Sequence, residues 1–125
     1  MRSVLEINSI VLAYLGDSIY EYYVRKHLIE QGISNVKDLQ EKAVSYVSAI
    51  AQRDKLMYLL DNNLLTDEEI SVMKRARNSK VSHHPKNCDV ITYNYSTGFE
   101  AIFGYLDMSN NRERIEQLIN VIFSI

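Results

Sequence analysis

The chain has 125 residues, 46% of them apolar, with a formal net charge of −2 at pH 7. That length allows one domain, residues 1–125, with a real core, and that apolar content excludes a disordered polymer. A mildly acidic whole carries no general signal for nucleic acid, and no apolar run reaches the roughly 20 residues of a membrane span.

The N-terminal stretch MRSVLEINSIVLAY is interrupted by Glu6 and Asn8 and lacks a small-residue cleavage site, so it does not read as a signal peptide. The single cysteine, Cys88, excludes an intramolecular disulfide, and a cytoplasmic location is expected. Apolar spacings of three and four recur along the chain and strand alternation is nowhere sustained, which predicts an all-α helical bundle. The first helix is predicted from a cap at about Ser9 to about Glu30, with Gly32 ending it. Ser34 then caps a helical stretch from about Asn35 to Asp61, with a break near Val47 where Ser45 and Ser48 weaken it. Thr66 and Glu69 form a capping box for a helix reaching about Lys80. Residues 81–88, VSHHPKNC, read as a loop. A further helix follows to about Asp107, and a last one runs from about Asn111 to the end.

LAYLGDSIYEYYV, residues 12–24, places Gly16 and Asp17 in the middle of the first helix. Glycine there costs about 1 kcal/mol relative to alanine. Ala13, Asp17 and Glu21 are spaced by four and share one face, with Gly16 beside it. GFEAIFGYL, residues 98–106, repeats the theme: Gly98, Ala101 and Gly104 are spaced by three, with Glu100 among them. If the two helices cross at Ala13/Gly16 and Ala101/Gly104, Asp17 and Glu100 meet in one cleft. Two facing carboxylates repel unless a cation or a proton sits between them. Oxygen ligation by one or two carboxylates, completed by water and substrate phosphate, suits Mg²⁺. The plainer reading is a kink at Gly16 and a surface acid at Glu100. Glu21 has two readings as well: it holds a metal-bound water from one turn away, or it pairs with Arg25.

Lys74, Arg75, Arg77, Lys80 and Lys86 are five of the chain's 14 Lys and Arg, with His83 and His84 between them and no acid before Asp89. A helix end with an adjoining basic loop can track a phosphate backbone, or it can be a solvated face whose cations suit a helix C-terminus. His83, His84, Cys88 and Asp89 match no common zinc spacing, and Cys88 has no evident base partner for work as a nucleophile.

LAYLGDSIYE resembles the signature helix of the ribonuclease III family, and FEAIFGYL its second acidic motif. VSAIAQ (47–52) and KRARNSKVSHHPKN (74–87) resemble the short Mini-III branch, which lacks a double-stranded-RNA-binding domain. The similarity spans essentially the whole chain. It implies a homodimeric, all-helical endonuclease that cuts double-stranded RNA with Mg²⁺, for which Mn²⁺ substitutes, leaving a 5′-phosphate and a 3′-hydroxyl. On the resemblance, Asp17 and Glu100 are the catalytic, metal-binding acids, and Tyr14 occupies the aromatic position packed across the dimer axis. The basic segment, with its two histidines, becomes the RNA contact. Where the longer family members carry acids, this chain has Ile10, Ala13 and Thr97. The short branch shares these losses, so weak metal binding completed by RNA phosphate is expected. The branch's task, maturation of the 23S ribosomal RNA precursor, and help from a large-subunit ribosomal protein are implied on the same ground. The rival readings are a catalytically silent RNA-binding member of a ribonucleoprotein and a helical interaction module with no RNA role.

Overall fold

The computed structural model describes residues 3–79, 86 and 88–125. Among them are a short 3₁₀ turn, Val4–Glu6, and six α-helices: α1 (Ser9–Glu30), α2 (Val36–Val47), α3 (Ala49–Asp61), α4 (Asp67–Arg77), α5 (Val90–Met108) and α6 (Arg112–Phe123). No strand occurs among the described residues. Of the expected loop at 81–88, only Lys86 and Cys88 lie among them.

The helix ends follow local chemistry, with three shifts from expectation. Asn8, not Ser9, caps α1, its Oδ1 accepting from the Ile10 N–H at 2.8 Å. Ser9 is the first helical residue and turns inward, where its Oγ lies 3.0 Å from Ser79 Oγ. Asn35, not Ser34, caps α2 by accepting from the Asp38 N–H at 2.9 Å. Helix α4 opens with the expected Thr66/Glu69 capping box but ends at Arg77, three residues short of Lys80. The other boundaries agree. Gly32 closes α1 at φ +93°, a backbone state that favours glycine, and the Ile33 N–H reaches back to the Leu28 carbonyl. The break near Val47 is Ser48, an extended residue that ends α2 and caps α3 through its Oγ.

Helix α5 is the hub, packing against α1, α3, α4 and α6. Its Phe99 and Phe103 meet Tyr20 of α1 at ring-centroid distances of 4.9 and 5.6 Å, all three fully buried. The Tyr20 hydroxyl keeps a partner by donating to the Tyr46 carbonyl at 3.0 Å.

The α1/α5 crossing positions the site. Gly16 rests on the Glu100 carbonyl and Gly104 on the Leu12 carbonyl, with no room at either glycine for a β-carbon. Ala13 and Ala101, both buried, flank the contact. Backbone meets backbone here because four small residues share one seam.

Candidate active site

The crossing brings the next residue after Gly16 to the side chain of Glu100. Asp17 is exposed on α1, and Glu100 is half-buried on α5. Burial first, then the Asp17 charge and a hydrogen bond with Asp17, push the Glu100 carboxyl up to about 9 from the usual 4.5. The two acids thus face each other closely enough to share a proton when no other positive charge is present.

A third residue completes the site. Gln52 of α3 is only 2% exposed, and its Nε2 donates to Glu100 Oε2 at 3.3 Å and to the Val47 carbonyl at 3.3 Å. That contact favours the ionised Glu100 and opposes the upward push. Next to it, Arg53 donates to Thr92 Oγ1 at 2.9 Å and ties α3 to the start of α5. Neither residue stood out in the sequence as a site residue. VSAIAQ marked the stretch as a motif, but a lone glutamine on a helix carries no chemical signature of its own.

Of the three positions that lost acids, Ile10 is half-buried and the other two are buried. Ala13 is buried in the α1/α5 seam. Thr97 is buried too, and its hydroxyl donates to the Tyr93 carbonyl at 3.0 Å, within its own helix. Glu21 pairs with Arg25, whose Nη2 lies 3.0 Å from Glu21 Oε1. Tyr14 is 84% exposed, on the outer face of α1 with exposed Val11 and Tyr22.

The basic segment divides. Lys80, His83 and His84 lie outside the described residues. Lys74 and Lys86 are exposed. Arg77 is half-buried, with its guanidinium 5.4 Å from the Tyr95 ring centroid. Arg75 is engaged elsewhere, donating to the Leu5 carbonyl at 2.7 Å and so fastening the N-terminal turn to α4. Burial and the Asp89 charge push the Cys88 thiol up, the opposite of what activates a nucleophile.

The donor set suits a hard divalent cation. It offers carboxylate oxygens only, and the burial and mutual repulsion that favour a proton on Glu100 would equally favour a metal in its place. Among the described residues no group of three or more His, Cys, Asp or Glu converges, so a cation held by Asp17 and Glu100 would take most of its coordination from water and substrate.

The ribonuclease III domain pattern matches residues 10–111, a span that includes Asp17, Gln52 and Glu100. The chain belongs to the ribonuclease III family. It is similar to the Mini-ribonuclease 3 of Streptococcus pneumoniae, with 45% identity over 114 residues, covering 91% of this chain and 89% of that protein. The Enterococcus faecalis protein of the same name is 43% identical over 120 residues, covering 96% of this chain and 91% of that one. A crystal structure of protein FN1578 from Fusobacterium nucleatum superposes with a TM-score of 0.85 at 29% identity, covering 99% of this chain and 98% of that one. Within the ribonuclease III family the chain falls in the Mini-ribonuclease 3 branch, and it is an endoribonuclease acting on double-stranded RNA. The two non-enzymatic readings fall away.

Proposed function

We propose that Asp17 and Glu100 hold Mg²⁺, or Mn²⁺ in its place, and that this site hydrolyses one strand of a duplex RNA to a 5′-phosphate and a 3′-hydroxyl. The observation that carries the reading is the pairing of the two carboxylates at the α1/α5 crossing, where burial and the Asp17 charge both push the Glu100 carboxyl up. When bound, the metal neutralises charge on the phosphoryl oxygen and lowers the pKa of water. The protein's own part is positional. Asp17, exposed, faces the incoming phosphate; Glu100, half-buried, anchors the site against α5. Weak metal affinity follows from two carboxylates where longer relatives have more, so the RNA phosphate itself completes the coordination.

The whole chain acts as one catalytic domain in this reading, paired with a second copy through the Tyr14 face of α1. Two sites related by a two-fold axis then address the two antiparallel strands. Lys74, Arg77 and Lys86, together with Lys80, His83 and His84, contact RNA phosphate. The natural substrate is a stem of the 23S ribosomal RNA precursor, presented in the cytoplasm with help from a large-subunit ribosomal protein. None of the described helices is long and apolar enough to cross a bilayer.

The test is an assay of the purified chain on a labelled duplex RNA in Mg²⁺ and in EDTA, with Asp17→Asn and Glu100→Gln beside it. Cleavage in Mg²⁺ alone, lost in both variants, supports the assignment. Full activity in either variant would remove that acid from the site.

A further inference from the structure

We propose that Gln52 is the positioning residue of this site: its amide takes Oε2 and so fixes the Glu100 carboxylate in the orientation that receives a divalent cation. The inference rests on the assignment of Glu100 as a metal ligand.

Three observations lead to it. First, the amide cannot turn round. Its Nε2 lies 3.3 Å from both the Val47 carbonyl and Glu100 Oε2. The carbonyl only accepts, so the NH₂ end must face it, and the same NH₂ is thereby presented to Glu100.

Second, the backbone is broken in a way that supplies that anchor. In an unbroken helix the Val47 carbonyl would accept from the Ala51 N–H. Here Ser48 Oγ takes that N–H at 3.1 Å, and the Val47 carbonyl is left for Gln52. The α2/α3 break near the site therefore has a use beyond changing the chain's direction.

Third, the arrangement leaves an unpaired atom. Gln52 Oε1 is buried with no hydrogen-bond partner among the described residues. A residue present only to fill this space has no reason to bury an unsatisfied oxygen, since leucine or methionine would pack there without one. What distinguishes glutamine is the donor it aims at Glu100.

The experiment uses the full chain with Gln52→Met and Gln52→Leu, which keep the bulk and remove the donor. Cleavage rate at saturating duplex RNA is followed against Mg²⁺ concentration, and duplex affinity is measured in EDTA. By the usual effect of residues behind metal ligands, the rate falls or the half-saturating Mg²⁺ rises by about 10- to 100-fold, while duplex affinity stays within about twofold. A wild-type Mg²⁺ dependence and rate in both variants overturns the proposal. So does a loss of duplex affinity that accounts for the whole loss of rate. A second readout needs no activity and leaves Gln52 itself in place. The Gln52 side-chain amide signals in a ¹H–¹⁵N spectrum of the wild-type chain, assigned through their intraresidue connections, move on titration with Mg²⁺ and stop moving in Glu100→Gln. Signals indifferent to Mg²⁺ overturn the proposal. A chain that cuts no RNA while these signals respond contradicts the proposed reaction and leaves the Gln52–Glu100 link standing.

Discussion

Gly16 of α1 and Glu100 of α5 touch through their backbones: a β-carbon on Gly16 would overlap the Glu100 carbonyl, and the Gly104 nitrogen would lie 2.8 Å away. This contact explains a glycine in mid-helix. Its propensity cost of about 1 kcal/mol is the condition for two helices to approach at backbone distance. The side chain of Asp17, one residue on, then meets that of Glu100. A wider crossing would separate the acids.

Gly16→Ala should therefore be severely disruptive. The clashing atom is a peptide oxygen, which cannot swing aside as a flexible side chain can. We expect a loss of about 3 kcal/mol or more, or failure to fold, read by chemical denaturation. Gly104→Ala should behave alike, because its β-carbon meets the Leu12 carbonyl. Gly98→Ala should be milder, since its nearest neighbour is the flexible Met73 side chain, with Cγ at 2.9 Å, although the Met73 carbonyl is equally near. A Gly16→Ala protein as stable as its parent would show that the helices can part freely.

Asp17→Asn should keep the fold and lower cleavage by more than about 100-fold, beyond what loss of a residue behind a metal ligand costs. In EDTA near neutral pH its melting temperature should rise, because the charge that opposes ionisation of Glu100 is gone. A variant with parental cleavage, or with a lower melting temperature in EDTA, contradicts this account of the acid pair.

The same pair predicts a pH dependence. In the folded chain Glu100 holds its proton up to about pH 9, whereas unfolded it releases it near 4.5. Between those values the folded state binds the extra proton. Metal-free stability contributed by this group therefore falls as pH rises through the window and levels off above it. Glu69, where the Arg114 hydrogen bonds outweigh burial, and Asp89, whose carboxylate accepts the Thr92 backbone N–H, are held below their usual ranges and titrate on the acid side. Denaturation in EDTA across the window should show the decline, and Asp17→Asn should make it shallower. Mg²⁺ competes with the Glu100 proton, so stabilisation by the metal should grow with pH over the same range. A profile identical in parent and Asp17→Asn would mean the acids do not interact.

Much of this site was legible in the sequence because its logic is periodic. Spacings of three and four placed Ala13 and Gly16 on one helix, and Ala101 and Gly104 on the other, and small residues at such spacings are what a close crossing requires. Asp17 and Glu100 followed from their places beside those glycines. Gln52 did not follow, because its role depends on Val47 and Glu100, one nearby and one 48 positions away, and nothing about a single glutamine signals either partner. The structural tie of Arg75 was hidden for a related reason: its charge placed it in the basic run, while the Leu5 carbonyl it also reaches lies 70 residues away in the chain. The helix caps shifted by one residue at Asn8 and Asn35, where asparagine competed with a neighbouring serine for the same task.

The outer face of α1 should hold two copies together. Val11, Tyr14 and Tyr22 are 56%, 84% and 55% exposed and recur at helical spacing, an apolar stripe left uncovered in one chain. Sedimentation equilibrium at micromolar concentration should give about twice the 14.5 kDa chain mass. Tyr14→Asp should weaken association by about 2 kcal/mol or more if the ring is a central anchor. A parent that sediments as a monomer and still cuts both strands of a duplex would remove the need for the dimer.

The basic segment should separate into a binding part and a structural part. Lys74 and Lys86 are exposed, and Arg77 lies over the Tyr95 ring, where a cation keeps its charge and part of its surface available. Arg75 already spends a hydrogen bond on the Leu5 carbonyl. Replacing Lys74, Arg77 and Lys86 together by alanine should weaken binding to any duplex irrespective of sequence. The plot of log affinity against log salt should become shallower by about 0.9 or less per lost phosphate contact. Cleavage at saturating RNA should fall far less than in Asp17→Asn, since the carboxylate pair is untouched. Arg75→Ala should instead lower stability by about 1 kcal/mol, through release of the N-terminal turn, with a smaller effect on the salt slope. If the triple variant keeps the parental affinity and slope, these cations form a solvated surface and the RNA crosses another face of the molecule.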